Sequence, residues 1–102
     1  MKKRFIVLVN SSTKQQEDDF IAFIKAEGFG YWHWLNNSWL LISHSSHHTA
    51  PFVREKVMKF FPNVNNMVLQ FNEDGELHWN GFGPGSGEHN MFEWMHKNWT
   101  KR

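Results

Sequence analysis

At 102 residues and a net charge of +1, the chain has room for one domain with one hydrophobic core and carries no overall field to gather nucleic acid. It contains no cysteine, which excludes disulfides and thiolate chemistry, limits any zinc site to histidine and carboxylate ligands, and fits a reducing cytoplasm. No apolar run approaches the ~20 residues of a bilayer span, and Phe5 to Val9 behind Lys2, Lys3 and Arg4 is too short for a secretion-signal core, so neither a membrane partner nor export is expected.

In chain order, Arg4 to Asn10 is a β-branched and aromatic run that ends in turn formers, the pattern of a first strand. Ser12 with Gln15, or Thr13 with Gln16, offers a capping box for a helix whose Phe20, Ile21, Phe23 and Ile24 recur at helical spacing, with Gly28 closing it. Tyr31 to Leu35 and Trp39 to Ser43 read as two strands joined by Asn36, Asn37 and Ser38, a hairpin signal because asparagine accepts positive φ. Thr49 and Pro51 open a second helix carrying Val53, Val57, Phe60 and Phe61, and Pro62 stops it. Met67 to Phe71 is a fourth strand, turned by Glu73, Asp74 and Gly75 into a return strand at Leu77 to Trp79. Residues 81–102 then supply a glycine-rich linker and a final helix with Met91, Phe92, Met95 and Trp99 on one face.

The order predicts one α+β domain over residues 1–102: a ferredoxin-like βαββαβ plait, an antiparallel sheet with two helices on one face, extended by a short strand and a helix. Its strands are apolar on both sides. Phe5, Val7 and Val9 alternate with Ile6 and Leu8, and Trp39 and Leu41 with Leu40 and Ile42, so neither sheet face reads as solvent-facing. The second face therefore needs cover from the final helix, from a second copy of the chain, or from both. Six tryptophans and ten phenylalanines supply the rings for it, and Trp32, Trp34, Trp39, Leu41 and Trp79 are the expected interface residues.

The segment Tyr31-Trp32-His33-Trp34-Leu35-Asn36-Asn37-Ser38-Trp39-Leu40-Leu41-Ile42, followed by a helix with an early arginine, Arg54, and by Trp79-Asn80-Gly81-Phe82, resembles the hairpin and late motif of small SinR-like proteins. Those proteins are related to the CRISPR-associated integration subunit once described as an endoribonuclease. The resemblance implies a homodimer of ferredoxin-like domains. In nuclease-like members an aspartate at the end of the first strand holds a divalent metal between the two copies. The matching position here is Asn10, whose neutral carbonyl replaces the anion that magnesium favours. Asp18 and Asp19 in the next helix are the nearby carboxylate candidates.

Other clusters carry weaker chemistry. His44, His47 and His48 could hold zinc or nickel, although a serine-rich turn offers no rigid frame, and a solvated loop is the expected use. Lys2, Lys3, Arg4, Arg54 and Lys56 are the candidates for salt-sensitive contact with nucleic acid. Trp32, His33, Trp34 and Trp39 would make a base-stacking platform only with a cation nearby, and the third strand has none. The run Gly81 to Gly87 lacks the lysine of a phosphate loop, and Ser11 and Ser12 lack a nucleophile elbow. The expectation is a non-enzymatic interaction protein without a cofactor, homodimeric or bound to another protein or nucleic acid, which could regulate a nucleic-acid-processing system. A metal-dependent endonuclease-like protein with a degenerate site is the alternative.

Overall fold

The computed structural model describes residues 2–83, 85–87 and 90–99; Pro84, His89, Lys101, Arg102 and the side chain of Trp99 lie outside the described residues. The elements are β1 (Lys3–Val9), α1 (Lys14–Ala26), β2 (Gly30–Trp32), β3 (Ser38–Ser43), α2 (Ala50–Phe60), β4 (Asn66–Asn72), β5 (Leu77–Phe82) and α3 (Met91–Trp94), which runs on into a π-helical turn at Met95–Trp99. The five strands form one sheet in the order β2-β3-β1-β4-β5, with every neighbouring pair antiparallel.

Local chemistry accounts for the boundaries. Thr13 and Gln16 form the capping box of α1: the Thr13 hydroxyl accepts from the Gln16 amide at 3.1 Å, and the Gln16 side chain accepts from the Thr13 amide at 2.9 Å. Gly28, at φ +87°, turns the chain out of α1. Thr49 caps α2, with Pro51 in the first turn where its missing N–H leaves no donor unsatisfied. After α2, Asn63 takes φ +62°, and Asn37 takes φ +63° in the hairpin, as its sequence signal predicts.

Three boundaries depart from the sequence pattern. β2 stops at Trp32, because His33 turns inward to bond α1 and leaves Trp34 and Leu35 in the connecting loop. β5 extends to Phe82, so Gly81 and Phe82 are strand, not linker; a Cβ at Gly81 would stand 2.5 Å from the Asn66 carbonyl oxygen, and only glycine fits the pairing there. The final helix has one α-helical segment before its hydrogen bonding widens to the π pattern.

The core lies between the sheet and the pair α1 and α2. Phe5, Val7, Val9, Trp39, Leu41 and Val68 face Phe20, Ile24, Val53, Val57 and Phe61, all buried. Phe20 is its centre, with ring centroids 5.1 Å from Trp39, 5.4 Å from Phe61 and 5.9 Å from Phe60. No helix among the described residues is long and apolar enough to cross a membrane.

Candidate functional site

Strand alternation places the remaining side chains on the opposite face, and the register orders them in rows. The central row is Trp32, Leu40, Ile6, Leu69 and Trp79, running from edge strand to edge strand. To one side lie Ile42, Arg4, Phe71 and Leu77; to the other lie Leu8, Met67 and Gly81. Arg4 is the one charged residue in these rows, so the face is an apolar surface with a single cation near its end.

The last helix covers half of it. Met91 packs toward Gly81 and Gly83, where an added Cβ would come within 3.3 Å of Met91 atoms. Farther along, the rings of Phe92 and His96 lie 5.9 Å and 6.0 Å from that of Trp79, and Met95 is buried. The helix thus runs antiparallel to β5, over the β4–β5 side. Where it meets Leu8 and Met67 it leaves a cleft of about 270 Å³, edged by Asn10, Asn65 and Phe82. Among the described residues nothing covers the β2–β3–β1 side in this way: Trp32 is 43%, Leu40 46%, Ile42 39% and Leu8 40% exposed. Burial of apolar surface drives association, and a contiguous apolar area on one face is a candidate interaction surface.

A polar brace fixes the hairpin that borders this face. His33 Nδ1 meets the Ser38 carbonyl at 2.6 Å and Nε2 meets Glu17 Oε1 at 2.9 Å, so both ring nitrogens lie against acceptor oxygens. Ser12 Oγ lies 3.1 Å from Glu17 Oε2 and 2.6 Å from Asn37 Oδ1, and the Val9 amide donates to the Asn37 carbonyl at 2.9 Å. Glu17 is the hub, tying α1 to the hairpin, while His33 stacks on Trp39 with centroids 4.2 Å apart and planes 8° from parallel. Through its bonds to Glu17 and Asn37, Ser12 is a link in the brace.

The expected interface residues divide. Trp39 and Leu41 are fully buried beneath α1 and α2, so they belong to the core and not to the interaction face. The reason is register: both share the face of Phe5 and Val7. Trp32 lies on the open face, Trp79 lies on it under the last helix, and Trp34 stands in the hairpin loop, 81% exposed. Leu8, Leu40 and Ile42, absent from the expected set, form most of the uncovered area.

The histidine run does not assemble as a metal site. His44 and His47 are exposed, whereas His48 is buried between the Phe29 and Phe52 rings, 4.1 Å and 5.4 Å away. Among the described residues no three His, Cys, Asp or Glu side chains converge. His48 Nδ1 bonds the Ser43 hydroxyl at 2.6 Å, and Lys3 Nζ donates to the His48 carbonyl at 2.9 Å. Asp18 pairs with Lys14 at 2.6 Å and Asp19 bonds Gln15 at 2.8 Å along α1, while no carboxylate among the described residues lines the cleft beside Asn10. Of the cationic candidates, Arg4 faces the open side, Lys3 reaches the loop before α2, and Arg54 and Lys56 lie on α2.

Burial pushes the His48 imidazole below its ordinary value; Glu27 opposes the shift, while the Lys3 and His47 charges add to it. In the unfolded chain the ring titrates near its ordinary value of about 6.5. The unfolded state therefore binds the proton more readily, so this contribution to stability is fully present above about pH 6.5 and is lost as pH falls through the lower folded value. Urea unfolding at about pH 7.5 and about pH 5 should show a smaller acid loss for His48→Gln than for the parent chain; parallel pH profiles would refute the assignment.

No protein-family model matches the chain, and no curated protein matches it. Among solved structures it is similar to the crystal structure of the catalytic core of a rhodopsin-guanylyl cyclase with converted specificity in complex with ATPalphaS. The two are 12% identical, with a TM-score of 0.45, over 99% of this chain and 72% of that one. A likeness of that extent leaves fold and function to be argued from the chain's own residues.

Proposed function

We propose that this protein is a non-enzymatic interaction module, a ferredoxin-like plait extended by a fifth strand and a last helix, that works as a homodimer through its open sheet face. The strand order β2-β3-β1-β4 with two helices on one side supports the plait. The observation that carries the function is the uncovered apolar surface of Trp32, Leu40, Ile42 and Leu8 beside a half already covered by the chain's own helix.

A second copy is the partner that suits this surface. In a two-fold contact the same patch meets itself, which an apolar face tolerates and a charged one does not. One cation, Arg4, at the end of the rows leaves the centre free of like-charge conflict.

The test is solution mass by light scattering coupled to gel filtration, over a range of concentrations and at two salt levels. The parent chain should run as a dimer at both, since apolar contact resists screening. Leu40→Arg should weaken association by roughly 100-fold or more, because it places an unpaired cation in an apolar contact, while the exposed position should leave the fold of the separated chain intact by circular dichroism. A parent chain that stays monomeric throughout overturns the reading.

A further inference from the structure

Resting on the homodimer reading, we infer that the partner's last helix is what covers the exposed half: each copy lays the outer side of its own helix on the β2–β3–β1 surface of the other. The open face is a step, a helix-thick ridge over β4–β5 beside a bare shelf on β2–β3–β1. A two-fold axis parallel to the strands and lying between two such faces carries the β4–β5 side of one copy over the β2–β3 side of the other. Ridge then meets shelf twice, and the two helices lie side by side in one layer between two sheets. An axis across the strands would instead set ridge against ridge and hold the shelves apart.

Area favours the interlocked form over direct contact between shelves. Three strands about 4.8 Å apart and about 20 Å long present roughly 300 Å² in projection, well under the ~800 Å² per partner of a stable interface. Shelf-on-shelf contact would also need the copies offset, because sheets packed directly lie about 10 Å apart and leave no space for a helix about 10 Å across. Interlocking engages the outer side of the helix as well as the shelf and so roughly doubles the area. That outer side bears Glu93, Trp94 and Lys97, with Trp94 54% exposed and Glu93 and Lys97 paired to each other, so an aromatic ring accompanies a neutralised charge pair.

The absence of native cysteine makes a clean test. Heavy-isotope-labelled Leu40→Cys protein is mixed with unlabelled Lys97→Cys protein, allowed to exchange subunits, and treated with a short bismaleimide; mass spectrometry then identifies the joined peptides. Both positions are exposed, so both variants are expected to fold. The interlocked form predicts a heavy-to-light link between positions 40 and 97, and that link is lost when Leu40→Arg is added to the Lys97→Cys chain, which keeps both thiols and breaks the second, symmetry-related contact. A dimer that yields only links between two Leu40→Cys chains, or no mixed link at all, overturns the inference and leaves the homodimer standing. A monomer by light scattering removes both.

Discussion

Trp39→Ala should cost about 3–5 kcal/mol, the range for truncating a large buried aromatic, a large share of the total of about 5–15 kcal/mol for a domain of this size. The side chain is fully buried. Its ring stands 5.1 Å from Phe20, 5.5 Å from Phe61 and 4.2 Å from His33, so truncation opens a cavity that touches both core helices and the hairpin brace. Trp39→Phe is the informative partner. The indole Nε1 is buried with no hydrogen-bond partner among the described residues, and removing an unsatisfied donor recovers part of what the smaller ring loses. The phenylalanine variant should therefore fall short of the parent by only about 1–2 kcal/mol. Urea denaturation followed by circular dichroism measures both. A Trp39→Ala midpoint equal to the parent's, with a change in association alone, would return Trp39 to the interface and contradict its burial.

That tryptophan also shows what sequence patterning can and cannot specify. The period of two separates Trp39 and Leu41 from Leu40 and Ile42, and the helix starts and turns follow from local chemistry at Thr13, Gly28, Asn37 and Thr49. What alternation cannot do is label the two sets when both are apolar, because side-chain polarity normally decides which faces inward. By pattern alone, tryptophan and leucine are equally fit for an interface. Register decides it: Trp39 pairs with Val7, whose face meets α1 and α2, and Leu40 pairs with Ile6 on the other side. The brace was hidden for a different reason. Ser12, Glu17, His33 and Asn37 are scattered over 26 positions of the sequence and converge only when the hairpin folds back over the start of α1. His48 is the converse case, a histidine in a polar run whose burial between two phenylalanines follows from tertiary packing alone.

Gly81→Ala is expected to be the most damaging change outside the core, at about 2–4 kcal/mol. Gly81 pairs with Met67 across β4–β5. A methyl group there would lie 2.5 Å from the Asn66 carbonyl oxygen, 3.2 Å from the Met67 Cα and 3.3 Å from the Met91 terminal methyl. The methionine end can swing aside, but the first two atoms are backbone, so relief requires β5 to move away from β4. The last helix moves with it, since Met91 is seated over Gly81 and its neighbour Phe92 against Trp79. The damage should therefore be local: amide hydrogen exchange should quicken along Leu77–Phe82 while β1 and β3, paired through the core, keep their protection. Because the same helix is the ridge of the interlocked dimer, Gly81→Ala should also shift the chain toward monomer, which a change confined to an edge strand would not do. Parent-like protection in β5 together with an intact dimer would mean that the helix does not depend on Gly81 for its seat, and the close approach there would have to be given up.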